Sequence, residues 1–274
     1  MAAPRTPGCS IKSLEKLKQW EAFQAQLAKE AAAYQRSRPH GPPPLLLLGD
    51  SITEALRGTA IGEVVKRTAG IEEVTAGFLG WQKPLIFAIS ADETQHLLWR
   101  LQVGGELAPA LCDDPRLVMH LLIGTNNIGN AQHSAEATAR GILAVAHELL
   151  GRTRGRLLIS ALLPRSQITR SAKHNFATKT FTSRMPSVRR ANAIVNHTVV
   201  TALALRHPGR VRMVDCGDIF LAEQAEPGEG GPALFMPSET REALMPDALH
   251  PNVRGTQLWT ACLRRALEPW RRLA

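Results

Sequence analysis

The stretch Leu45-Leu46-Leu47-Leu48-Gly49-Asp50-Ser51-Ile52-Thr53 decides how this chain folds. Four consecutive leucines behind Pro42-Pro43-Pro44 form an apolar run of strand length. It lacks the alternation of a half-exposed strand, so it reads as a strand covered on both faces. Asp50 and Ser51, which follow at once, are residue types that open helices. Four more short apolar runs recur downstream, at residues 85–89, 117–123, 157–163 and 211–214. All but the last are nearly unbroken in hydrophobicity.

Amphipathic stretches separate these runs. A helix is expected over residues 10–38, with Ser13 as its cap and Leu14, Leu17, Phe23 and Leu27 at roughly helical spacing, until Pro39 and the run from Gly41 to Pro44 stop it. A second opens at Ser134, with Glu136 in its first turn and Ile142, Ala146, Leu149 and Leu150 on one face. A third covers residues 187–205 and ends before Pro208. The last starts near Asn252 and carries Trp259, Leu263 and Leu267 on one stripe.

Strand and helix alternating at such intervals require right-handed crossovers and a parallel sheet. The expected architecture is a three-layer α/β/α, flavodoxin-like, doubly wound parallel sheet of about five strands. Residues 1–41 make a helical extension with a Pro-rich linker, and residues 42–274 make the main domain. Two stretches, 169–186 and 222–246, take no assignment from their pattern.

Composition removes several functions. The 274 residues carry 33 basic and 24 acidic side chains, a net charge of +9, and the 44% hydrophobic content is that of a packed protein. The longest apolar run is too short to cross a bilayer. The basic residues are spread along the chain, and five Trp with one Tyr give none of the basic-aromatic interleaving of single-strand binders, so nucleic acid is not an expected partner. Cys9, Cys112, Cys216 and Cys262 are scattered, with no CxxC pair. The expectation is therefore neither a disulfide framework nor a metal site, in a reducing compartment. No apolar segment precedes Trp20, so the expected location is cytoplasmic; a basic, acid-free start leaves organelle targeting open.

In an open parallel sheet, ligands sit beyond the carboxyl ends of the strands. Those positions hold Asp50-Ser51 after the first run, Ser90-Ala91-Asp92 after the second and Thr125-Asn126-Asn127 after the third. Asp247-Ala248-Leu249-His250-Pro251 precedes the last helix. A serine hydroxyl needs an imidazole to accept its proton, and the imidazole needs an acceptor on its other nitrogen. Ser51, His250 and Asp247 supply those three groups. A tetrahedral oxyanion needs two or three donors. The Ser51 backbone amide at a helix start, an amide from the second loop and the Asn126 side chain can provide them.

The blocks LLLLGDSIT, LLIGTNN and DALHP, with DETQHLLWRL between the first two and LLPR after the fourth run, resemble the SGNH (GDSL-type) hydrolase superfamily. Within it, the chain looks most like the catalytic subunits of platelet-activating factor acetylhydrolase. The likeness spans about residues 44–264. It implies Ser51 as nucleophile, His250 as general base, Asp247 as its orienting acid, Asn126 as an oxyanion-hole donor, and no cofactor.

The second block departs from the family pattern. Counting back from Trp99 puts Ala91 where the family carries its oxyanion-hole glycine, with Ser90 where another glycine is common. A shifted reading would put Gly80 in that role. Ala91 fits better, because residues 85–89 make the better strand.

The implied activity is hydrolysis of short acyl esters, acetyl above all, on a lipid or carbohydrate alcohol. The rivals are a carbohydrate O-acetyl esterase or lysophospholipase-like enzyme on the same machinery, and a non-catalytic binding protein that retains the fold. Among the relatives, homodimers and a propeller-type regulatory partner are common; these residues by themselves demonstrate neither contact. Asp92, His96, Trp99, Arg100, His120 and Arg165 are expected to pack around the site or to hold its loops.

Overall fold

The four leucines do form a strand. β1 (Leu45–Gly49) is buried at every position, and so is β3 (Val118–Leu122). With β2 (Leu85–Ala88), β4 (Arg156–Ser160) and β5 (Val211–Val214), they build one sheet in the order β2-β1-β3-β4-β5. Every neighbouring pair is parallel. The order reverses between β1 and β3, which makes that gap the topological switch point of a flavodoxin-like sheet. The computed structural model describes residues 13–34, 41–78, 81–173, 176–221 and 240–272. Gly80, the alternative second-block residue, lies outside them.

Helices cover both faces of the sheet. α1 (Leu14–Ala32) is capped by Ser13, whose hydroxyl accepts from the Lys16 amide at 3.2 Å. It buries Trp20, Phe23, Leu27 and Ala31. Residues 1–12 and 35–40, at the ends of the expected helix, lie outside the described residues.

α2 (Ser51–Glu54) is one turn long and follows β1 directly. α3 (Thr94–Gln102), α5 (Ala135–Arg152) and α6 (Met185–Thr198) pack side by side, with α4 (Thr125–Gly129) after β3. α1 lies against α3, where the Trp20 and Trp99 rings are 6.1 Å apart. α7 (Val253–Arg271) packs on β4 and opens with Asn252 accepting from the Gly255 amide. Trp259, Leu263 and Leu267, the stripe read from the sequence, are fully buried. No helix among the described residues is long and apolar enough to cross a membrane.

Three local readings change. The fourth strand ends at Ser160 rather than residue 163, because the Asn192 side chain takes the Leu162 N–H and C=O at 2.8 and 3.0 Å in place of a ladder. The unassigned segment after it is an antiparallel pair, Ser166–Lys173 with Phe176–Ser183, in unbroken register. Residues 174–175 within that segment lie outside the described residues, as do residues 222–239 of the second unassigned stretch.

The cysteine reading is overturned: Cys216 and Cys262 form a disulfide, with Cα atoms 6.2 Å apart and a sequence separation of 46. The bond ties the end of β5 to the middle of α7. Spacing could not show it, because the pairing depends on two elements packing together and leaves no local pattern.

Candidate active site

Gly49 brings β1 to the switch point. A Cβ there would run into the Leu122 carbonyl of β3 and the Thr53 side chain, so only glycine allows α2 to start this close to the sheet. Asp50 caps α2, its Oδ1 accepting from the Ile52 amide at 3.1 Å. Ser51 is thereby fixed as the first residue of the turn, with 5% of its surface exposed.

His250 reaches it from the other end of the chain. Ser51 Oγ and His250 Nε2 are 2.9 Å apart, and His250 Nδ1 is 2.6 Å from Asp247 Oδ2. With its proton on Nδ1, the imidazole donates to Asp247 and presents Nε2 as an acceptor to the serine hydroxyl. The Asp247–His250 turn is shaped for this. Asp247 Oδ1 accepts from the amides of His250 at 2.7 Å and Leu249 at 3.1 Å, while Ala248 between them takes a left-handed φ of 60°. Burial works to raise the Asp247 carboxyl, but the His250 hydrogen bond and charge outweigh it and hold the group at about 2.

Asn126 sits on α4 at the end of β3 and is 3% exposed. Its Oδ1 accepts from Asn130 at 3.0 Å and its Nδ2 donates to the Asp92 carbonyl at 2.9 Å. Those bonds orient the amide and leave its second N–H hydrogen for another acceptor. Asn127 turns away and accepts from the Thr94 amide, tying α4 to the start of α3.

Ala91, just past β2, has a φ of 75°, a conformation that favours glycine. It lines the same cavity as Ser51, Ser90, Asn126 and His250, a space of about 390 Å³. The expected residues therefore converge on one edge of the sheet.

Other side chains hold this edge. Arg100 is fully buried, pairs with Asp92 at 2.8 Å and with Glu106, and reaches the carbonyls of Gly49 and Phe87. Asp92 also accepts from the Trp20 indole at 2.7 Å, and burial with the neighbouring Glu106 charge pushes it up against the pull of Arg100. Arg165 donates to the Thr125 carbonyl at 2.7 Å and to Asn130 Oδ1 at 3.1 Å. His96 accepts from the Glu93 amide at the head of α3. His120 packs on Trp259 and meets Ser160 at 2.8 Å; burial lowers it to about 3, so it stays neutral.

Sequence reading missed four contributors. Lys16 and Gln19 of α1, and Arg67 after a short hairpin, line the cavity although they lie far from the motif blocks. Glu54, one turn after Ser51, is completely buried and bonded to both neighbouring loops. Its place directly behind Gly49-Asp50-Ser51 was the available signal.

Residues 47–258 match the GDSL-like Lipase/Acylhydrolase family. The chain belongs to that family.

Among curated relatives, this GDSL-like family member is 40% identical over 84 residues to platelet-activating factor acetylhydrolase IB subunit alpha1 of Bos taurus, covering 30% of the chain and 33% of the relative. It is 32% identical over 127 residues to the Drosophila melanogaster platelet-activating factor acetylhydrolase IB subunit beta homolog, covering 46% and 47%. The matches thus span between a third and a half of those relatives' lengths. A solved Streptococcus pneumonia structure whose name refers to platelet activating factor overlays with a TM-score of 0.52 at 18% identity, covering 92% of the chain and 94% of that structure. At that identity, the likeness speaks for the fold.

Proposed function

We propose that this family member is a serine ester hydrolase that cleaves short-chain acyl esters, acetyl esters above all. The reading rests on one observation: the unbroken chain of contacts from Ser51 Oγ through His250 to Asp247, facing a cavity at the switch point. In this reading His250 takes the Ser51 proton as the hydroxyl attacks the acyl carbonyl. The ester C–O bond breaks as the imidazolium returns that proton to the departing alcohol. Water, activated by the same histidine, then releases the acid from Ser51.

The oxyanion is received by the Ser51 and Ala91 amides and by the second Nδ2 hydrogen of Asn126. Asp247 stays ionised throughout the neutral range and steadies the imidazolium. Preference for acetyl over longer acyl groups is supported by the names of the curated relatives, and a lipid or carbohydrate alcohol is the expected second half of the ester.

The test is turnover of 4-nitrophenyl acetate. Wild type is expected to hydrolyse it, and Ser51→Ala to lose on the order of 10⁴-fold or more in kcat. Equal rates for the two proteins would instead favour a binding protein on this fold. A series of esters with acyl chains of two to twelve carbons is expected to fall off steeply beyond the shortest members.

A further inference from the structure

A carboxylate with no exposed surface and, among the described ion pairs, no lysine or arginine partner needs another source of compensation. Glu54 finds it in five donors. Its Oε2 accepts from the Ser90 amide and the Ser90 hydroxyl, both at 2.6 Å, and from the Ile61 amide at 3.0 Å. Its Oε1 accepts from the Gly62 amide and the Thr59 hydroxyl, both at 2.9 Å. This fills the acceptor capacity of an ionised carboxylate.

The donors belong to the two walls that flank Ser51. One is the turn after β2 that carries Ala91; the other is the hairpin turn that carries Ile61. Both Ala91, at φ 75°, and Ile61, at φ 51°, are non-glycine residues held in the left-handed region, and both line the cavity. A residue with a Cβ does not settle there unaided.

Building on the ester-hydrolase reading, we propose that Glu54 is the positioning residue for the oxyanion-binding turn: its carboxylate grips Ser90 and so compels Ala91 to present its amide as a glycine would. It does not touch the substrate. The same grip on Ile61 and Gly62 sets the opposite wall, so one side chain ties the nucleophile's own helical turn to both sides of the cavity. An amide at this position cannot replace it, because its NH₂ group would face N–H donors on one wall or the other.

The experiment compares kcat and KM for 4-nitrophenyl acetate in wild type, Glu54→Gln, Ser90→Ala, and each of these combined with Ala91→Gly. Amide exchange of the peptide spanning residues 86–94 is followed alongside. Glu54→Gln is expected to lower kcat about 10²-fold, with KM changed less than about twofold, because a donor is misplaced while the rest of the cavity stands. Exchange at residues 90 and 91 should quicken, and Ala91→Gly should restore about tenfold of the lost turnover, because glycine reaches the left-handed region without being held there.

A folded Glu54→Gln protein with wild-type kcat and exchange would overturn the proposal. So would a loss confined to KM, or one of equal size with and without Ala91→Gly. If Glu54→Gln does not fold, Ser90→Ala decides: a several-fold fall in kcat that Ala91→Gly reverses supports the grip, and an unchanged kcat refutes it. Ser51→Ala is the separate control. If it matches wild type, the hydrolase reading fails, while the exchange data still report whether Glu54 holds the turn.

Discussion

Ala91 and Asp50 are held in states that an isolated side chain would avoid, and each gives a measurable signature. Relieving the left-handed alanine should stabilise the fold. Ala91→Gly is expected to add about 1 kcal/mol, seen as a rise of about 2–4 °C in Tm; a lower Tm would mean that the turn carries no conformational strain. Asp50 is completely buried, its Oδ2 has no hydrogen-bond partner among the described residues, and burial pushes its carboxyl to about 7 against the Ile52 hydrogen bond and the charges of Arg165 and Arg67. Between pH 4 and 7 the unfolded chain ionises this group while the native protein keeps its proton, so the native state binds more protons and its stability falls as pH rises through that window. Above about pH 7 the loss is complete. Asp50→Asn retains an oxygen for the Ile52 amide and does not titrate. Its stability relative to wild type should therefore climb with pH, by at most about 1.4 kcal/mol per pH unit, and level off near 7. Urea unfolding at several pH values checks this, and a difference independent of pH would refute the assignment.

At the scale of elements, what was legible followed from burial. The first four strands stand out in the sequence because they are largely buried and their apolar runs nearly unbroken; Leu45 to Leu48 and the third strand have no exposed position at all. The fifth, at the sheet edge, is interrupted by the exposed Arg212. The antiparallel pair at residues 166–183 escaped because its many Thr, Ser and Lys residues give no apolar run to read. α1 was legible as a helix, yet nothing in its pattern said that Lys16 and Gln19 would reach the cavity, since that depends on how it docks. The docking bond is specific: Trp20 donates to Asp92, whose main-chain carbonyl orients Asn126. Trp20→Phe leaves a buried carboxylate oxygen without its donor. A loss of about 2 kcal/mol in unfolding free energy is expected, together with a lower kcat/KM if the Asn126 amide shifts with Asp92. Wild-type values for both quantities would mean that the helix adds no support to the catalytic edge.

On the scale of the whole molecule, the site joins residues 199 positions apart, Ser51 and His250, and only the finished sheet brings them together. The Cys216–Cys262 bond closes a ring of chain that includes Asp247 and His250. For a 46-residue separation, loop-closure entropy predicts a contribution of about 4 kcal/mol, an upper figure because native geometry and residual unfolded structure reduce it. The double variant Cys216→Ser with Cys262→Ser is expected to show a clearly lower Tm, and a reductant should bring wild type down toward the same value. If reductant leaves the wild-type Tm alone while the variant drops, the loss comes from packing around the sulfurs. The ring also changes what a break in the backbone means. A single cut between Cys216 and His250 would yield fragments that still travel as one species, the histidine piece leashed to the serine piece, and only thiol treatment would part them.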